Sequence, residues 1–481
     1  MSAEINTSDA DPQLRRNSLG LAELVFQGVT HIAPAINIVF TFPIIALKAG
    51  PDMPISFLLS TIVCFFIGNT VAQFSRYMPS SGGYYSFATR GLGNRSGFMA
   101  TWSFLIYEII GSAGSVGFLG YLISDMLQMQ FQVNIPWWSF ALATTVLVWA
   151  LTHHGVQLSA RITVLLGILE LLIMLMLSIT FLIHPGPGST YLAPLKLSSS
   201  PHHFGGILAG MVFSILALSG FEAPAPLAQE ARRSSKFIGQ AIMLSLGSIG
   251  IFYVCTSYAS AIGWGTGNMA AFASNPNPYY VLGRALWGSG WWLVVFAIIN
   301  SAVGGGLACA NAASRVMYTM GRAGTLPASF GRIHPKHRTP TVAIAFMQLF
   351  GIAAILLVGL LLRPDYIFGF LETIATLAVI VLYVMANLAL TRYMRREQPA
   401  EFTVWQHVVV PWIGTLALLP VLFVTVYPQP SWPYNITPYL FLVALLCGFA
   451  YMQWRESRNP GALSRGAMML VGAGTADGEE V

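Results

Sequence analysis

Read from the N-terminus, the chain alternates long apolar runs with short polar ones. The apolar runs fall at 21–47, 54–74, 97–127, 136–152, 157–183, 205–229, 237–263, 290–319, 340–362, 366–391, 403–427 and 435–454. A helix needs about 20 apolar residues to cross a hydrocarbon core of about 30 Å, and only helices or closed barrels satisfy the backbone inside one. These runs are helix-length and lack the alternation, in segments of roughly ten residues, that marks barrel strands. The pattern therefore predicts an all-α integral membrane protein with twelve transmembrane helices. Residues 1–18 and 457–481 are polar and are expected to be tails, the first without the apolar core of a cleaved leader.

Two of the runs are interrupted. The first carries THIAPAIN, Thr30 to Asn37, and the sixth carries LSGFEAPAP, Leu218 to Pro226. A lone proline or glycine in a membrane helix marks little, because neighbouring helices re-satisfy the freed backbone. Here five spans separate the two breaks, so the broken helices cross in opposite directions. That is the layout of an inverted repeat of five plus five helices, with the binding site at the paired breaks. The expected organisation is a first repeat over 19–185, a second over 186–398, and two extra C-terminal helices over 399–456.

Composition agrees with the pattern, since 55% of 481 residues are apolar and only 9% charged, against roughly a quarter charged in soluble domains. With twelve spans and an inner N-terminus, 20 of the 24 Lys and Arg fall on the inner side, leaving only Lys48, Lys196, Arg284 and Arg363 outside. The positive-inside rule then places both termini in the cytoplasm of a protein of the cytoplasmic membrane. The net charge of +6 is a topology signal, and no nucleic-acid partner is expected. The four cysteines sit singly inside spans, while His153 and His154 lie at a cytoplasmic span end and His202 and His203 in an outer loop, without metal-ligand spacing on one helix. No metal, no cofactor and no enzymatic activity is expected, because nucleotide-binding and nucleophile motifs are absent.

Four acids lie well inside spans: Glu108, Glu170, Glu222 and Glu372. A carboxylate at a helix centre costs about 2.5–3.5 kcal/mol on insertion scales, so each is expected to face protein or water, as a candidate proton carrier does.

Several stretches resemble the amino acid-polyamine-organocation superfamily, in particular its amino acid permeases. SRVMYTMGRAGTLPASFGRIHPKHRTP, Ser314 to Pro340, is similar to that family's eighth span and following loop. MPSSGGYYSFA, Met78 to Ala88, is similar to its loop after the second span, and FSILALSGFE, Phe213 to Glu222, to its sixth-span break. The resemblance implies a LeuT-type core, alternating access, and a secondary active transporter importing amino acids by proton symport. It implies that the backbone around Pro34, Ala35 and Ile36 holds the carboxylate, and that carbonyls near Ile32, Leu216, Ala217 and Ser219 hold the amine. Thr30 and His31 close the inner half-helix beside them, Tyr107 with Glu108 lines the site from the third span, and Phe221 is a candidate gate.

The chain departs from the family in the first span, where GVTHIAPAINI keeps only Gly28 of a glycine-rich pattern. Proline suits the first turn of a half-helix, but it removes a donor there and adds bulk. A proline at this place resembles some bacterial polyamine and amine permeases, which makes an amine permease the alternative, with an exchanger or a transporter-like sensor behind it. In the fifth span GVQLSARITVLLGILE puts Glu170 where proton-coupled relatives can have a lysine. Glu170 is therefore expected to be the proton-linked group, near His31 or the Ala33 carbonyl. Glu108 could read cargo charge, Glu222 could carry a proton or cap the second break, and Glu372 receives no role. VGGGLACANAA, Val303 to Ala313, holds no Ser or Thr to ligate sodium, which favours protons. The partners expected are thus a small-molecule cargo, protons and the lipid bilayer.

Overall fold

The computed structural model describes residues 19–78, 83–155, 160–197, 199–232, 234–427 and 431–465. The N-terminal tail, most of the C-terminal tail, Pro79 to Gly82 of the second motif and Val156 to Ser159 of the fifth-span motif lie outside them. Among the described residues the regular structure is helical, and the β pairing consists of one isolated bridge between Leu19 and Ala231.

The first apolar run forms two helices, α1 (Leu21–Ile32) and α2 (Pro34–Ala49), and α3 (Met53–Tyr77) follows. A short α4 (Tyr84–Leu92) precedes α5 (Asn94–Phe131), α6 (Trp137–His153) and α7 (Ala160–Ile183). The sixth run gives α8 (His203–Leu218), an irregular turn and a 3-10 segment, Ala225–Glu230. Next come α9 (Ser234–Trp264), the short α10 (Met269–Ser274) and α11 (Pro278–Trp287), then α12 (Trp292–Arg322), α13 (Thr341–Leu361), α14 (Ile367–Glu397), α15 (Val410–Val426) and α16 (Thr437–Arg458).

Among the described residues, nine helical stretches are long and apolar enough to cross a membrane, fewer than the twelve expected runs. The stretch Leu21–Tyr77 contains the first two runs, while α6 and α8 have only 17 and 16 residues. Of these, α8 ends at the break after Leu218 and is short for that reason. The chain is a multi-pass membrane protein built of helices.

Helices α5 and α14 pack on each other at the centre, and α5 also packs on α6, α12 and α13. The half-helix α1 lies against α7, α9 and α12, and α2 lies against α8 and α12. On the periphery, α16 turns Tyr439, Leu442, Leu446 and Phe449 outward. Such an apolar outer face is what a lipid environment requires of a helix.

Candidate functional site

The first break turns on a single residue. Ala33 adopts φ 52° and ψ 68° between α1 and α2, a left-handed conformation that costs a non-glycine residue about 1–2 kcal/mol. Pro34 then opens α2 at the position where its fixed φ fits and its missing donor is no loss. The carbonyl of Ile32, one of those freed by the break, accepts the side-chain amide of Asn37, and the Thr30 hydroxyl donates back to Phe26 at 2.5 Å.

The first amides of α2 are already bonded. Ala35 N–H donates to Glu170 Oε1 at 2.9 Å and to Ser301 Oγ at 3.1 Å, and Ile36 N–H donates to Ser301 Oγ at 3.2 Å. Asn300 completes the cluster by donating to Glu170 Oε2 at 2.8 Å. Glu170 thus places a carboxyl group at the positive end of the half-helix, on the backbone donors that the resemblance assigns to a cargo carboxylate. Its bonded partners are Ala35 and Asn300, in place of the expected His31 or Ala33 carbonyl.

The second break follows Leu218. Gly220 has φ +110°, and a Cβ on it would lie 2.6 Å from His31 Cδ2 and 3.1 Å from Ile32 N, so the two breaks touch at a place that admits only glycine. Glu222 accepts Gly220 N–H at 3.1 Å and the Tyr383 hydroxyl at 2.9 Å. It fastens its own break to α14, and it makes no side-chain cap on the 3-10 segment Ala225–Glu230 that follows, where the capping role was expected. Phe221 is fully buried and stacks on Tyr383 with ring centroids 5.9 Å apart.

Between the breaks lies a cavity of about 40 Å³, room for roughly three waters at the ~10–15 Å³ each needs. Of the expected set, His31, Ile32, Tyr107, Leu216 and Ser219 line it, while Thr30, Pro34, Ala35, Ile36, Ala217 and Phe221 are not among its lining residues. Ser112, Ser115, Cys309 and Glu372 line it as well, and its described lining includes no Lys or Arg. Glu372, which received no role, accepts Ser115 Oγ at 3.4 Å. Glu108 Oε2 lies 3.4 Å from His31 Nε2, and the His31 ring stacks near Tyr107 at 6.0 Å.

Asn300 and Ser301 lie just before the stretch Val303 to Ala313 and carry no sequence signal that sets them apart from other polar residues of a span. Asn37 ends the THIAPAIN interruption and Cys309 lies in VGGGLACANAA, but neither stretch signals that they border the cavity.

A sequence profile of the amino acid permease family matches residues 24–456. The branched-chain amino acid permease of Bacillus subtilis is 30% identical over 464 residues, covering 92% of this chain and 94% of that relative. The low-affinity putrescine importer of Escherichia coli K12 is 24% identical, covering 74% of this chain and 78% of its own length. The L-asparagine permease of Salmonella typhimurium is 22% identical, with coverages of 83% and 81%. The profile match across both breaks and the bundle around them shows that this chain belongs to the amino acid permease family.

Proposed function

We propose that this permease imports an amino acid across the cytoplasmic membrane by proton symport and alternating access. The observation that carries the reading is the pair of touching breaks around one small cavity, where opening must precede cargo entry. Two relatives are amino acid permeases by name and one is a putrescine importer, so the cargo class is an amino acid or a small amine.

The arrangement proposed is twelve spans with both termini cytoplasmic, repeats over 19–185 and 186–398, and α15 and α16 outside them. Helix packing supports the inverted repeat. Moving five spans along the chain turns α1 against α9 into α8 against α3, α5 against α14 into α12 against α7, and α5 against α6 into α12 against α13. The contact of α5 with α13 likewise becomes that of α12 with α6.

Coupling follows from Glu170. As a carboxylate it occupies the α2 amides. A proton arriving on it weakens that hold and frees the donors for the cargo carboxylate, so proton and cargo enter together. Glu170→Gln is expected to make uptake into proteoliposomes insensitive to external pH, with at least a tenfold loss of acid stimulation. An unchanged pH profile would remove Glu170 from the coupling. The cargo itself is tested by competition with neutral, acidic and basic amino acids, putrescine and ethanolamine; failure of all of them to move or compete would end the transport reading.

A second reading, a small amine as cargo, is supported by one observation. The α2 amides are bonded within the chain, while Glu372 lines a cavity whose described lining has no Lys or Arg, and Glu108 stands against His31 at its edge. Stronger competition by putrescine or ethanolamine than by any amino acid would select it.

A further inference from the structure

We propose that His31, Glu108 and Cys309 form a binding site for zinc or a comparably thiophilic divalent cation, and that occupancy locks the permease. The three residues come from the end of α1, the middle of α5 and the middle of α12, and all three are buried.

The donor set fits in kind and in spacing. Imidazole nitrogen, carboxylate oxygen and thiolate sulfur are the three protein donors zinc takes, at about 2.0–2.3 Å in a tetrahedron, which places neighbouring donors about 3.3–3.7 Å apart. Here Nε2 of His31 is 3.4 Å from Oε2 of Glu108 and 3.6 Å from Sγ of Cys309. All three donor atoms lie within 4.8 Å of one another. His31 and Cys309 also border the cavity, so a fourth, open coordination position can face its solvent space.

A second observation is independent of this spacing. Glu108 is 1% exposed, and its carboxylate meets no polar group outside the His31 imidazole and the Cys309 thiol of this same cluster. A buried carboxylate this poorly supplied with donors costs more than one that is fully bonded, and a cation at the point the three side chains share satisfies it. An ammonium from the cargo is one such cation. A soft thiol and an imidazole on the same point suit a metal better, and a dication with one thiolate, one carboxylate and a neutral imidazole sums to zero charge. That neutrality is what a low-dielectric interior favours.

The consequence is mechanical. His31 is the penultimate residue of α1 and touches the second break through Gly220, whereas Glu108 and Cys309 stand on the packed pair α5 and α12. A metal joining them ties both breaks to that pair and holds the cavity closed.

Cobalt(II) is the probe, because a thiolate ligand gives it a ligand-to-metal charge-transfer absorption that histidines alone do not. The full chain, purified in detergent with the exposed Cys255 and Cys447 changed to Ser, is expected to show that absorption at one equivalent, with zinc displacing the cobalt. Cys309→Ser should abolish it while chromatographic profile and thermal unfolding stay unchanged. Glu108→Gln, which keeps the thiol, should require at least tenfold more cobalt. In proteoliposomes zinc should block uptake, and Cys309→Ser should need at least tenfold more zinc. No charge-transfer absorption, or absorption that survives Cys309→Ser or titrates unchanged in Glu108→Gln, overturns the site. Absorption without zinc inhibition overturns the locking role, and neither result bears on whether the protein is a permease.

Discussion

Single residues decide how the two breaks meet. The left-handed turn at Ala33 and the φ of +110° at Gly220 bring Gly220 against His31 and Ile32. Because the atom at 3.1 Å from a Cβ on Gly220 is backbone nitrogen, it cannot move aside as a flexible side chain would. Gly220→Ala is therefore expected to cost about 1–3 kcal/mol of stability and to abolish uptake, read by thermal unfolding in detergent and by proteoliposome transport. Wild-type values for both would mean that the breaks do not touch. At this scale the sequence exposed the interrupted positions and concealed their partners. THIAPAIN is legible as a break because a histidine, a proline and an asparagine interrupt an apolar run. That Ala35 meets Ser301 was not legible, since 266 residues separate them and no local pattern ties one to the other. Glu170 was found for the same reason as the breaks, as a charge inside an apolar run, while its placement on an amide instead of a carbonyl depended on how α7 packs beside α1 and α12.

Among the elements, the sequence showed the helices and missed a junction between two of them. The apolar runs that become α12 and α6 are evident, whereas nothing in the sequence ties His153 and His154, at the end of the fourth span, to the segment after the eighth. The structure packs them with His334 and His337 of the segment after α12, with ring centroids 4.6 Å apart for His334 and His337 and 5.0 Å for His154 and His337. Thr339 Oγ donates to the His153 carbonyl at 2.7 Å, and His334 N–H donates to the Thr339 carbonyl at 2.9 Å, which pins the segment to the end of α6. Desolvation among the rings, and then repulsion from His334, His154, His153 and Lys336, hold the His337 imidazole below the usual histidine range. A histidine lowered in the folded state binds its proton more readily when the segment is released. The stabilisation is therefore present above about pH 6.5, the ordinary histidine value, and is lost as pH falls through it. Amide hydrogen exchange over 331–340, corrected for its intrinsic pH dependence, is expected to lose protection between neutral and mildly acidic pH. Protection that stays level across that range would mean that the histidines do not hold the segment.

For the whole molecule, the strongest statement the sequence makes is one of sidedness, and it joins the charge pattern to the span count. Each missed or extra span would reverse every loop after it, so the gathering of 20 of 24 basic residues on one side is a test of all twelve spans at once. The helices themselves leave that count open at its weakest points: α6 and α8 are short, and one continuous stretch covers α1 to α3. The repeat packing argues for counting each of them as a span, because α8 stands to α3 as α1 stands to α9, and α6 stands to α12 as α13 stands to α5. With twelve spans and the cytoplasmic N-terminus proposed above, the segment between α12 and α13 is cytoplasmic and the segment between α15 and α16 is external. Ala328 and Ser431, both exposed, sit in these two segments. In intact cells expressing the chain with Cys255 and Cys447 changed to Ser, a membrane-impermeant maleimide is expected to label Ser431→Cys at once. Ala328→Cys should be labelled only after the membrane is opened. Equal access for both positions would break the alternation between them, and the reverse pattern would invert the orientation while preserving the count. Only the predicted pattern lets the basic residues around Arg332, Lys336 and Arg338 face the cytoplasm, where the positive-inside rule requires them.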